Sequence, residues 1–392
     1  MKTRLLFFAP LLLNSVCCAD IAVATNDGHI ELVNGTPTPL KKPLPDTLTV
    51  IDLSGDSPKL LAEISGVPGS VIGPPFSVVV TPDEHYALVT ACMKVDAADP
   101  TKQTEDNRLT VVDLKASPPR IVGTVTTGKG PAGLAINRQG TLALVANRGD
   151  GTISIFTVTG QNLRPFGTLT IGNATSALGT VAITPDGQHA LVSRDGDNLV
   201  TLLDIDTSGR PFTDPSVPLV KLAGRDLRTG FRPYGIDITR DGHYAVVGNV
   251  GYGNGDTDTV ALIDLQAKPA RVVDIAPVPQ TPEGIKLSPD GQYCAVVTQD
   301  GSNKVKDSPF YHEHGQLLLY KIAEGKFSPV AHALLGHWSQ GVAFSANGKT
   351  ILVCNMVEKN LQIFAWDGDT LRDTGSVIPL PGGPAAVATA QH

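Results

Sequence analysis

The stretch LGTVAITPDGQHALVSR, residues 178–194, decides the fold. A short alternating apolar run meets Thr184-Pro185-Asp186-Gly187 and is followed by a second apolar run. Alternation at period two marks a half-buried strand, and Pro-Asp-Gly supplies the restricted and positive backbone angles of a tight turn. The stretch therefore reads as a β-hairpin. Copies begin at Pro75 (PFSVVVTPDEHYALVTA), Pro131 (PAGLAINRQGTLALVAN), Pro233 (PYGIDITRDGHYAVVGN), Pro282 (PEGIKLSPDGQYCAVVT) and Ser339 (SQGVAFSANGKTILVCN), and a seventh, PAAVATA from Pro384, holds only the first strand.

The starts lie 56, 47, 55, 49, 57 and 45 residues apart. A strand-built repeat near 50 residues implies a radial β architecture. Third strands share a signature, LTVIDL (48–53), LTVVDL (109–114), VTLLDI (200–205) and VALIDL (260–265), whose Asp52, Asp113, Asp204 and Asp264 are expected to accept backbone hydrogen bonds in the next turn. The strands missing after Pro384 stand at the other end of the chain, as IAVAT (21–25), LTVIDL (48–53) and KLLAEIS (59–65). The prediction is an all-β, seven-bladed β-propeller of four-stranded antiparallel blades, closed by N-terminal strands completing the C-terminal blade. Closure removes free sheet edges.

The first residues read MKTR, then LLFFAPLLLNSVCCA, then Asp20. A basic start, a short apolar run and a small residue predict a signal peptide, 1–19, cut after Ala19, with the propeller as one domain over 20–392. A buried first strand or a membrane anchor is the alternative, and a lipid-modified Cys17 or Cys18 is less well supported by the preceding Asn14-Ser15-Val16. The expectation is a periplasmic or secreted protein with no membrane span in the mature chain, and a monomer. Losing Lys2 and Arg4 takes the 31 basic residues to 29 against 38 acidic ones, a formal charge of −9. Bulk attraction to nucleic acid is not expected. Cys92, Cys294 and Cys354 fall in different blades, so no disulfide is predicted.

The turns Pro185-Asp186-Gly187 and Pro289-Asp290-Gly291, with the strand ends LVAN (144–147), VVGN (246–249) and LVCN (352–355), resemble the YVTN-repeat family of seven-bladed β-propellers. More distantly the chain is similar to lactonase-type propellers. The resemblance spans 20–392. It implies the fold, and a family that includes lactone-hydrolysing and cycloisomerising enzymes, periplasmic ligand or DNA binders and surface proteins.

Strand order places the connections from second to third strand and from outer to inner strand on one face. The long insertions, 26–46, 66–75, 92–107, 223–232, 249–258 and 299–315, all fall there. Loops beyond the structural minimum gather where function resides. The segment 93–107, of mixed charge, reads as a solvated lid. Aligned inner strands put Tyr234, Glu283 and Gln340 at the channel mouth, flanked by Arg148, Arg194, Arg232, His337 and Trp338, with Arg225 and Arg228 just upstream. Guanidinium groups suit a carboxylate or phosphate, so a small anionic ligand is the first expectation and a protein partner the second, with loop-tying ion pairs as the structural alternative.

If the chain follows the lactonase-type resemblance instead, Arg232 would clamp an oxyanion, Glu283 would be the general base and His337 the general acid. Where those enzymes carry a Pro-Arg-His run and a Glu, this chain has Phe231-Arg232-Pro233-Tyr234 and Asn249. His312 and His314 could share a metal with His337 or Glu283, or be solvated loop residues. No cofactor is expected. The remaining histidines, His29, His85, His189, His243 and His332, read as turn or surface residues, and no Ser-His-Asp set or GxSxG elbow is present.

Overall fold

The computed structural model describes residues 20–55, 57–208 and 219–390; the expected leader, 1–19, lies outside them. Seven four-stranded antiparallel sheets form a ring. Blade 1 joins the two ends of the chain, with Gly383–Thr389 innermost, then Ile21–Asp27, Thr47–Asp52 and Lys59–Ser65. Blades 2 to 7 follow in chain order, with inner strands Val78–Val80, Pro131–Ile136, Leu178–Ile183, Pro233–Ile238, Pro282–Leu287 and Ser339–Phe344. Ring closure pairs Ala22 with Thr389 through to Asp27 with Gly383, with one irregularity at Thr25/Asn26. No helix among the described residues is long and apolar enough to cross a membrane.

The repeated turn has a chemical logic. Thr184, Thr239 and Ser288 each donate a hydroxyl hydrogen bond to the aspartate two residues on, and that carboxylate accepts an N–H at the start of the next strand. The glycine lies at φ +72° in Gly242 and +71° in Gly348. A Cβ at these positions would stand 3.4 Å from Pro185 and 3.6 Å from Pro289, so each turn nestles against the proline of the blade before it. In the first copy Glu84 replaces glycine at φ +53°. Its buried side chain accepts the N–H of Ile21 at 3.1 Å, which fastens blade 2 to the first strand of the chain.

Between blades the second and third strands interdigitate apolar side chains, as Leu144, Ile153 and Ile155 do against Ala190, Val192 and Leu203. Asp52, Asp113 and Asp264 accept backbone N–H groups of the following turn. Asp204 differs: it meets His189 at 3.1 Å. His85 and His243 sit beside Asp113 and Asp264 and stack on Tyr86 and Tyr244. Among the described residues Cys92, Cys294 and Cys354 are buried and free.

Two loops depart from the sequence expectation. Segment 93–107 is not a loose lid but contains a hairpin, Met93–Val95 with Gln103–Glu105. The other correction is His29, which is buried at the root of the hairpin Ile30–Val33/Thr36–Pro39 instead of lying on the surface. Its Nδ1 is 2.9 Å from both Asp27 Oδ1 and Asp46 Oδ1. Burial alone would lower its pKa, but the two carboxylates outweigh it and raise it to about 10.

The imidazolium stabilises the fold fully below its ordinary value of 6.5, and that contribution is lost as pH rises through about 10. His29→Gln is expected to cost about 3 kcal/mol at neutral pH, as removal of one partner of a buried ion pair does. Thermal melts of the two proteins should converge above pH 10; a constant gap would contradict the charged imidazolium.

Candidate functional site

Five of the seven inner strands are entered through a left-handed residue: Gly130 (φ +58°), Ala177 (+48°), Arg232 (+55°), Thr281 (+59°) and Trp338 (+51°). Only glycine takes this conformation without cost, and a β-branched threonine is a genuine outlier. The constraint holds a ring of side chains in fixed positions at the channel mouth.

Asp195 organises one side of that mouth. It opens the single-turn 3-10 helix Asp195–Asp197 of blade 4 and is 2% exposed. Arg148, from the end of the blade 3 second strand, reaches it at 2.6 Å. Arg232, entering blade 5, donates Nε to Oδ1 at 2.6 Å and Nη2 to Oδ2 at 3.1 Å. Burial opposes the charge on Asp195, but Arg232 and then Arg148 hold its carboxyl below the usual range. Further bonds fix both guanidiniums: Arg148 Nη1 to Ala177 O, Arg232 Nη1 to Gly251 O, and the Arg232 N–H to Asn198 Oδ1. Arg148 also lies 5.7 Å from the Tyr234 ring centroid, and Arg232 5.9 Å from that of Tyr252. Phe231 and Tyr252, both strongly exposed, lie 6.1 Å apart beside them.

Glu283 lies on the other side. It keeps part of its surface on the channel, yet its Oε2 is shut off from solvent without a hydrogen-bond partner. Burial pushes its pKa up to about 8, against opposing contributions from Gln299, Gln340, Arg232 and Arg148. At neutral pH it is therefore mostly a neutral acid, able to donate a proton. Tyr234 is raised by burial and by Glu283. Gln340 is buried and donates to Val71 O at 3.0 Å. One blade along, burial raises Asp258 to about 6 while its Oδ2 accepts the Thr281 N–H.

The other sequence candidates lie apart from this cluster. Arg194 pairs with Asp197 and Asp226 and ties its own blade together. Arg225 belongs to the outer strand Val220–Leu227, and it and Arg228 are exposed. Trp338 is core, packed with Ile30, Val71 and Met356. His337 meets Glu358 at 2.6 Å, and no hydrogen bond or ion pair among the described residues joins it to Glu283 or Arg232. His312 pairs with Asp300 and His314 with Leu335 O, so the two imidazoles take separate partners.

Asp27, His29 and Asp46 are the only trio among the described residues spaced to hold a metal ion. Their carboxylates already accept the N–H groups of Gly28, His29, Ile30, Gly69 and Val71, so the trio serves as a structural tie.

No protein-family model matches the chain, and no curated protein matches it. Solved structures share its fold over nearly the whole chain. The periplasmic gluconolactonase of Pseudomonas aeruginosa shares 16% identity at a TM-score of 0.66, over 94% of this chain and 99% of its own. A protein of Bacteroides fragilis provisionally assigned as a 6-phosphogluconolactonase shares 17% at 0.69, over 96% and 99%. A functionally unknown protein of Desulfotomaculum acetoxidans shares 16% at 0.63, over 95% and 99%. The chain has the seven-bladed fold of these proteins. At such identity the likeness is one of fold alone.

Glu283 binds its proton more tightly in the folded than in the unfolded chain, where its value is near 4.5. Its favourable effect is complete below 4.5 and is lost as pH rises through about 8. Wild-type melting temperature should fall across that window more steeply than that of Glu283→Gln, which cannot ionise. Parallel curves would contradict the buried acid.

Proposed function

We propose that this chain is an exported β-propeller that binds a small anionic, hydroxyl-bearing molecule at the channel mouth. The observation that carries the reading is the Asp195 cluster: one buried carboxylate gathers two arginines from neighbouring blades, beside Tyr234 and an acid that is mostly neutral at pH 7. Guanidiniums held rigid in a partly dry site grip carboxylates more strongly than free ones do. The exposed rings of Phe231 and Tyr252 offer an apolar face against which a ligand ring can lie. Export is supported by the basic and apolar character of residues 1–19.

A second reading is lactone hydrolysis. It is favoured by Glu283, whose pKa near 8 suits proton transfer close to neutral pH. Two structural neighbours carry lactonase descriptions, which adds support to this reading. In that chemistry water would add to the lactone carbonyl and lose its proton to solvent, Arg232 would stabilise the resulting oxyanion, and Glu283 would pass its own proton to the ring oxygen as the ester C–O bond breaks.

Thermal-shift and calorimetric titration with gluconate and with inorganic phosphate test the first reading. Arg232→Ala should weaken binding roughly ten- to hundredfold, the effect of losing a charged hydrogen bond worth about 1.5–3 kcal/mol. Equal affinity in the variant would overturn it. Turnover of aldonolactones that disappears in Glu283→Gln would establish the enzyme, whereas absence of turnover leaves binding as the function.

A further inference from the structure

The open space of the channel does not lie at the mouth described above. It is a pit entered from the opposite face, where the tight turns stand, with a cavity volume of about 190 Å³. Its lining reaches Pro75, Phe76, Thr180 and Gly284, and does not include Tyr234, Glu283 or Gln340. The walls are apolar: Val79, Ala135, Ala182, Ile183, Ile238 and Ala388 are all lining residues that keep partial exposure. At about 3.3 Å per strand residue, the wall from Gly284 to Pro289 is roughly 15 Å deep, room for a chain of about ten carbons.

The rim is cationic. Arg138, Arg240 and Lys286 line it, and Asp237 is the only carboxylate among the lining residues. Asp237 is already committed, accepting the N–H of Leu287 at 2.9 Å and pairing with Lys286 at 3.1 Å. Arg138 and Arg240 are held together, with Arg138 Nη2 donating to Arg240 O at 2.8 Å. Neither has an ion-pair partner among the described residues. Asp241, next along the chain, is engaged by Thr239 and His243 within its own turn. Burial, with the Arg240 charge behind it, presses Arg138 below the usual guanidinium value.

Like charges kept close repel one another unless something compensates them, and here Arg138 is half-buried beside the exposed Arg240. The repeat makes them conspicuous. Arg138 and Arg240 stand where other turns carry Pro82, Pro185 and Pro289, so the turn itself does not demand them.

We infer that the pit binds an amphipathic anion, an acyl or alkyl carboxylate whose tail fills the apolar shaft and whose headgroup lies between Arg138 and Arg240. The site is separate from the upper mouth. Apolar burial supplies affinity along the tail and the two guanidiniums fix its orientation.

Calorimetric titration of the mature chain with octanoate, acetate and 1-octanol tests this. Octanoate should bind saturably at one site, with acetate and 1-octanol at least about tenfold weaker, since each lacks one of the two recognition elements. Arg138→Gln/Arg240→Gln should weaken octanoate at least about tenfold without lowering the melting temperature, since it removes only the charges. Ala182→Phe should block the shaft; if it does not fold, the double glutamine variant decides the question. Arg232→Ala, in the upper mouth, should leave octanoate affinity unchanged. No saturable octanoate binding, equal affinity in the double glutamine variant, or loss in Arg232→Ala would each overturn the inference.

Discussion

Everything in this molecule depends on the pairing of Gly383–Thr389 with Ile21–Asp27. Blade 1 is complete only if the last strand of the chain finds the first, and here the two ends of the chain meet in that one blade and close the ring. The junction is reinforced from both sides. Glu84 caps the N–H of Ile21 from blade 2, and Asp20 accepts the N–H of Ala346 from blade 7. Because the closing strand is innermost, Val387 and Ala388 also line the pit. Closure therefore sets the shape of the channel as well as the stability of the ring.

The channel so formed has two unlike ends. At one, left-handed residues start most inner strands, with a cost of about 1 kcal/mol or more for each that is not glycine. Arg232 and Thr281 accept that cost and gain fixed polar contacts: Arg232 with Asp195 and Asn198, Thr281 with Asp258. At the other end the turns are short and repetitive, and the channel is lined mainly by apolar side chains, with Thr180 among them, below a cationic rim. The mouth is a network of charged and polar side chains, whereas the pit offers open space between mainly apolar strand residues. The first suits the small hydrophilic molecule proposed for the mouth, and the second the apolar chain proposed for the pit.

The fold is legible in the sequence because its determinants are local. A Thr/Ser-x-Asp-Gly turn declares itself within four residues, and its spacing counts the blades. The mouth is legible only where the repeat alignment reaches: Arg148, Arg232, Tyr234 and Glu283 stand at its positions, but nothing local announces that Asp195 joins two of them. Arg225 reads as a loop residue because the outer strand Val220–Leu227 is exposed at nearly every position and so shows no alternation. Trp338 reads as a ligand contact because its left-handed backbone, which goes with its place in the core, leaves no mark in the sequence. The pit escapes a reading that follows long loops, since short turns surround it, yet arginine in place of proline at 138 and 240 is visible in the alignment.

The mouth cluster carries a net positive charge at neutral pH, because Asp195 alone faces two arginines while Glu283 stays mostly uncharged. The most direct test is the affinity for gluconate at pH 7 and pH 9, a window above the titration of Asp258 near 6 and spanning that of Glu283 near 8. Ionising Glu283 places a second negative charge in the site, so wild-type affinity should fall about tenfold or more while Glu283→Gln stays level. A level wild-type profile, or a variant that falls in parallel, would contradict the account.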